Sequence, residues 1–180
     1  MRVIAGSARG RRLKSPPLGT RPTSDLLRGA IFDVLDSFGA DYAAVLDLYA
    51  GSGALGIEAL SRGDGRCDFI ESDQAACAVI RDNVHLAGFE DRAAVHPVAA
   101  SRAAGFLQGP YTLVLADPPY GEEDALPALR EIALSSLVAA DTVLVLEHRS
   151  AGQPAEEMGS LSLIKTRRHG GSAFSVYARR

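Results

Sequence analysis

Two short stretches concentrate the groups able to hold and activate a ligand. The first is Asp47-Leu-Tyr49-Ala50-Gly51-Ser52-Gly53-Ala-Leu-Gly56, the second Asp117-Pro118-Pro119-Tyr120. An apolar run from Ala43 to Leu46 enters the first, and an amphipathic segment from Ala54 to Arg62 leaves it. Strand, glycine-rich turn and helix in that order make a nucleotide-binding crevice in a parallel α/β sheet. Gly51 and Gly53 can adopt backbone angles closed to other residues and let a ligand approach the main chain. The helix that follows presents unpaired N–H groups to that ligand. Glu71 ends the next apolar run, 20 positions after Gly51, the separation at which an acid holds ribose hydroxyls.

Asp117 to Tyr120 follows the apolar run Tyr111 to Ala116. Ligands in open α/β sheets bind outside the carboxyl ends of strands, which places this tetrapeptide beside the glycine turn. The prolines fix an extended turn and donate no hydrogen bonds, so the Pro118 carbonyl and the Asp117 carboxylate face a ligand as two acceptors. Tyr120 adds a flat ring for stacking. Such a set suits an exocyclic amino group held for attack. Taken alone, the same residues also suit a plain Pro-Pro turn with a carboxylate capping a helix.

These residues need elements to position them, and the hydrophobic pattern supplies an alternation. Strands are expected near Val45–Tyr49, Cys67–Glu71, Ala93–Val98, Thr112–Ala116 and Thr142–Glu147. Helices are expected near Ala54–Ser61, Gln74–Ala87, Ala100–Leu107 and Ala125–Ser135. That rhythm predicts a parallel sheet covered by helices on both faces. Leu161–Thr166 and Ala173–Ala178 have only Arg167 to Ser172 between them, with Gly170-Gly171, and predict an antiparallel hairpin. Upstream, Thr23 or Ser24 is placed to cap a helix whose core face is Leu27, Ala30, Ile31, Val34, Leu35 and Phe38. Residues 2–14 predict a short hairpin or an arm.

The net charge of −3 hides a segregation. Residues 1–28 hold seven Arg/Lys against one acid, and residues 161–180 hold five and none. Two cationic ends around an acidic middle point to a polyanionic partner, most simply nucleic acid. No apolar run is long enough to span a bilayer, and the basic start lacks the apolar core of a signal peptide. Cys67, Cys77 and the four scattered histidines have no metal-ligand spacing. Reduced thiols, a cytoplasmic location, no metal, no membrane and a monomer are the expectations.

The combination of Arg2-Val-Ile-Ala-Gly6, Arg9-Gly-Arg11, Arg21-Pro-Thr23, Asp47 to Arg62, Glu71-Ser-Asp73 and Ala116 to Tyr120 resembles the bacterial 16S rRNA guanine-N2 methyltransferases of the RsmD type, over nearly the whole chain. The resemblance implies a Rossmann-like class I methyltransferase: a mostly parallel seven-stranded sheet, a C-terminal antiparallel hairpin and a basic N-terminal extension. It implies one methyltransferase domain, with residues 1–40 as arm and docking helix and 41–180 as catalytic core. It implies S-adenosylmethionine held by Asp47, Tyr49, Ala50, Gly51, Ser52, Gly53, Glu71 and Ser72. Asp117, Pro118, Pro119 and Tyr120 would receive the target guanine, and Arg9, Arg11, Arg12, Lys14, Arg21 and Arg28 would engage 16S rRNA in a small-subunit particle or assembly intermediate. The chain departs from the family pattern at Leu26 and Gly29, where Arg and Glu are usual. It also has no acid or amide side chain in Val98-Ala99-Ala100.

Three other readings compete. An adenine-N6 or cytosine-N4 enzyme uses the same tetrapeptide, but this chain leaves no room for a separate recognition domain. A nicotinamide-dependent oxidoreductase fits the glycines and the distant acid, yet gives Asp117 to Tyr120 no role. A non-catalytic RNA-binding protein would need a damaged site.

Overall fold

The computed structural model describes residues 1–15, 24–119 and 125–179. Arg21, Thr23 and Tyr120 lie outside the described residues. Five strands run parallel: β1 (Ala44–Leu48), β2 (Arg66–Ile70), β3 (Ala93–His96), β4 (Tyr111–Ala116) and β5 (Val138–Arg149). β6 (Glu157–Met158), β7 (Leu161–His169) and β8 (Ser172–Ala178) complete a sheet of order β3-β2-β1-β4-β5-β8-β7-β6, with β8 antiparallel to β5. The two-residue edge strand β6 is an eighth strand beyond the seven expected. It is too short to carry a pattern of its own and exists only by pairing with β7.

β1 and β4 are buried along almost their whole length, so each reads as a continuous apolar run instead of an alternation. Helices α1 (Asp25–Ser37), α2 (Ala54–Arg62) and α3 (Gln74–Ala87) cover one face, while α4 (Ala125–Leu134) and a 3₁₀ segment, Ala100–Gly105, cover the other. That 3₁₀ segment stands where an α-helix to Leu107 was expected. Ser24 caps α1 by accepting the Leu27 N–H, and Asp73 caps α3 by accepting from Ala75 and Ala76.

The face of α1 that meets the core includes Leu27, Ile31, Phe32, Val34 and Leu35. Each such side chain, buried from water, contributes about 1.5–3 kcal/mol. Phe38 was expected there, but it caps the helix and is 47% exposed, with the Lys165 ammonium 5.3 Å from its ring. Phe32 takes its place, fully buried against the Tyr42 ring and the Arg62 guanidinium.

Residues 1–15 fold back on themselves. Val3 donates to the Arg11 carbonyl, Gly10 to Val3 and Leu13 to Met1, with one antiparallel bridge between Arg2 and Arg12. Val3, Ala8 and Leu13 are buried against the helices, while Arg2, Arg9, Arg11 and Arg12 stay exposed. This hairpin-like arm lies along α2. Its turn meets Ser61, whose hydroxyl donates to the Ala5 carbonyl and accepts the Ala8 N–H. Its open end meets the other end of the helix, where Met1 Sδ receives the Ser52 hydroxyl. Covered by the sheet inside and the arm outside, α2 is buried from Ala54 to Ser61; it is not the amphipathic helix its sequence suggests.

Candidate active site

The strand order reverses direction between β1 and β4, and Leu48 of β1 is in register with Ala116 of β4. The glycine turn after β1 and Asp117 after β4 therefore leave the sheet side by side, at the point where an open α/β sheet forms its ligand crevice. The Asp117 N–H reaches the Leu48 carbonyl at 3.5 Å. Asp117 and Pro118 are half-buried and Pro119 is exposed.

The turn is built from left-handed backbone. Gly51 (φ +57°) and Gly53 (φ +75°) are of the type that favours glycine, and Tyr49 adopts φ +57° despite its side chain. A non-glycine residue held there stores strain of about 1–3 kcal/mol, which is common at ligand-binding turns. Among the described residues, a Cβ on Gly51 would meet only the Tyr49 carbonyl oxygen, at an ordinary contact distance of 3.9 Å. A Cβ on Gly56 would come within 2.4 Å of the Phe69 ring and 2.7 Å of Cys67 Sγ. The third glycine thus lets α2 pack closely on β2.

Carboxylates hold the turn. Glu71 accepts the Gly51 N–H on one oxygen and the Asp73 N–H on the other, both at 2.8 Å. A carboxylate has about four acceptor positions, so Glu71 retains capacity for ligand hydroxyls. Asp47 is buried and accepts the Gly56 N–H, near the start of α2, at 2.9 Å. Burial pushes its carboxyl well above the ordinary carboxylate value of 3.8, and the negative charges of Asp117 and Glu71 push it further. The Gly56 hydrogen bond opposes this only in part. Three acids converge here without a cation hydrogen-bonded to Asp47 or Glu71 among the described residues. Of the other expected cofactor residues, Ala50 and Ser52 are buried and Ser72 is exposed. Burial also raises the Cys67 thiol, which leaves it protonated and unsuited to nucleophilic work. No group of His, Cys, Asp and Glu able to hold a metal ion is found among the described residues.

The structure separates the arginines and lysine expected to meet RNA. Arg9, Arg11 and Arg12 are exposed, and Lys14 is exposed and paired with Asp82 at 2.8 Å. Arg28 is a correction. Its side chain has no exposed surface; it donates to Asp25 and the Arg2 carbonyl and lies 3.7 Å from the buried Glu58 carboxylate. It holds the arm to α1 and α2 and cannot reach a phosphate. Leu26, one of the departures from the family pattern, is 72% exposed on α1, so it offers solvent an apolar side chain where the pattern has a cation.

A basic group absent from the candidate residues is brought by topology to the same edge of the sheet as the crevice. Leu146 pairs with Ala116, and Glu147 and Arg167 both pair with Phe174. The β7–β8 turn therefore stands at the carboxyl end of the parallel strands. Arg167, Arg168 and His169 are exposed there. β7 is three strands from β4, about 14 Å at the usual strand spacing. The charge of the C-terminus hinted at this; its place required the register.

The family described as "Conserved hypothetical protein 95" matches residues 1–178. Over 184 residues, covering all of both chains, the sequence is 34% identical to a Bacillus subtilis protein named "Putative rRNA methyltransferase YlbH". It is 39% identical over 124 residues to the Escherichia coli "Ribosomal RNA small subunit methyltransferase D", a match spanning 67% of this chain and 60% of that protein. Among solved structures, "Putative methyltransferase yhhF" from Escherichia coli superposes with a TM-score of 0.86 at 30% identity, covering 100% of this chain and 98% of that one.

Proposed function

The chain belongs to the family described as Conserved hypothetical protein 95, and from that premise we propose that it transfers a methyl group from S-adenosylmethionine to the exocyclic N2 amine of a guanine in 16S rRNA. The observation that carries this reading is the acid-rich glycine turn, where Asp47, Glu71 and Asp117 gather beside the backbone of Gly51. A concentration of acids beside the turn suits a ligand that is itself cationic, as a sulfonium amino acid is.

Bound there, S-adenosylmethionine supplies a methyl already activated by its sulfonium, so the protein needs neither a metal nor a covalent nucleophile. Glu71 has the acceptor capacity to hold ribose hydroxyls while it fixes Gly51. The absence of a side chain at Gly51 admits the ligand's chain against the turn. Asp117 and the Pro118 carbonyl accept the N–H bonds of the target amine, orient its lone pair and stabilise the positive charge that develops on it. Most of the acceleration comes from alignment, for which effective molarities reach about 10⁵ M and more. The target base must leave its stack, so a looped or unpaired guanine is preferred. Exposed Arg9, Arg11 and Arg12 on the arm and Arg167 and Arg168 on the β7–β8 turn supply phosphate contacts on two sides.

The test is transfer of labelled methyl from S-adenosylmethionine to small-subunit particles lacking the modification, followed by nucleoside analysis. N2-methylguanosine is the expected product. Label on adenine or cytosine would move the assignment to another amine, and cofactor binding without transfer to any RNA would overturn the substrate.

A further inference from the structure

Asn83, on the buried face of α3, belongs to none of the motifs and has no exposed surface. Its amide makes three hydrogen bonds to two distant segments. Oδ1 accepts the Lys14 N–H at 2.7 Å, and Nδ2 donates to the Lys14 carbonyl at 3.0 Å and to the Ser52 carbonyl at 2.9 Å. The partners fix the orientation of the amide, since turning it over would set two donors against each other at Lys14 and its oxygen against two carbonyls. Lys14 closes the open end of the arm, and Ser52 lies between the two left-handed glycines of the ligand turn. One buried group thus grips both the arm and the back of the turn, while Glu71 holds the turn from the other side through Gly51. The Ser52 hydroxyl against Met1 Sδ makes a second, weaker link between the same two segments.

We infer that Asn83 is a positioning residue that couples the arm to the glycine turn, so that RNA on the arm and cofactor at the turn strengthen each other's binding. The inference rests on the reading of arm and turn given under Proposed function. The physical argument is that a buried amide with all three bonds made has no cheap alternative arrangement. A displacement of Lys14 must therefore either break its bonds to Asn83 or carry Asn83, and with it the Ser52 carbonyl. RNA that fixes the arm removes that freedom from the turn before the cofactor arrives. By linkage the effect is reciprocal. A residue that only filled the core would stabilise the fold without making one affinity depend on the other ligand.

The experiment measures affinity for S-adenosylhomocysteine by calorimetry, with and without unmodified 16S rRNA. The intact protein is expected to bind the nucleoside at least about fivefold more tightly when RNA is present. Asn83→Asp keeps the acceptor for the Lys14 N–H and loses both donors; its RNA-free affinity should fall modestly and its RNA-dependent gain should vanish. Asn83→Gln, with the same amide on a longer stem, should recover part of the gain. A second readout needs no variant: deuterium exchange in the peptide spanning residues 48–56 of the intact protein should slow when RNA alone is added. An unchanged gain in Asn83→Asp, or no slowing of exchange on RNA binding, would overturn the coupling. Failure of the intact protein to bind S-adenosylhomocysteine at all would instead overturn the proposed function.

Discussion

Asp47, near the end of β1, and Glu58, in the middle of α2, are both buried carboxylates that accept main-chain N–H groups, and they stand in opposite electrical company. Glu58 accepts from Ile4 and Ala5 of the arm at 2.8 and 3.0 Å and lies between two guanidiniums, Arg62 at 3.0 Å and Arg28 at 3.7 Å. Arg62 reaches on to Asp36, and Arg28 to Asp25. Asp47 has the Gly56 N–H and, as charged neighbours, two further acids. Every acid in the Glu58 cluster faces a guanidinium, and the cluster ties arm, α1 and α2 together. Around Asp47 the two charged neighbours that raise its carboxyl are both acids, and such company favours a cationic ligand. The difference separates a site that completes the fold from one that waits for a substrate.

Removing the carboxylate at the centre of the Glu58 cluster should have the largest effect. Glu58→Ala strands Arg28 without its buried counter-charge and is expected to cost about 3–5 kcal/mol, read as a fall in urea midpoint at unchanged slope. A loss below about 1 kcal/mol would mean that the cluster is not required and that the contrast with Asp47 is false. Next comes Asp117→Asn, which removes a charge from the ligand side alone. At saturating cofactor, single-turnover methyl transfer should drop by about a hundredfold with the thermal midpoint retained; a near-normal rate would remove Asp117 from charge stabilisation.

Asp47→Asn sharpens the contrast further, because fold and function should move in opposite directions. The amide oxygen can still accept the Gly56 N–H, while cofactor affinity should weaken by about tenfold, near 1.4 kcal/mol. The pH dependence follows from the raised carboxyl. Folding binds the Asp47 proton more tightly than the unfolded chain does, so its stabilisation is complete below pH 3.8 and is lost as pH rises through the folded value. The free wild-type protein should therefore lose stability relative to Asp47→Asn between pH 4 and neutrality, checked by thermal melts across that range. A difference that is constant with pH would refute the strained-carboxyl account. The smallest effect is expected at Lys14, whose pair with Asp82 is more than half exposed. Lys14→Ala should leave the melting temperature unchanged and reduce the salt dependence of RNA binding by about one phosphate contact. An unchanged salt slope would confine the arm's electrostatic role to its arginines.

Much of this was legible in the chain itself. β1, β2 and β4 begin and end within one residue of the strands expected from the sequence, because strands buried on both faces need near-continuous hydrophobicity bounded by turn residues. The turn glycines, Glu71 and Asp117 were legible for the same reason: each sits at a fixed offset from a strand end. Arg28 was misread because a cation on a short helix is solvated by default, and its partner Glu58 belongs to a different helix. β5 begins at Val138, four residues ahead of its apolar core, because Tyr111 pairs with Val138 and the Thr142 hydroxyl donates to the Tyr111 carbonyl. None of those contacts has a local period.

The sequence by itself determined the alternation of strands and helices, the glycine turn and the acids at strand tips, since all of these are written in spacings of about two, about four and about twenty residues. Only the tertiary structure decided which charges would be paired, which helix would be buried on every side, and that one asparagine would hold Lys14, 69 positions away, and the ligand turn together. Local propensity acts over a few residues, whereas a buried charge or amide is stabilised only by the partners that the complete fold brings to it.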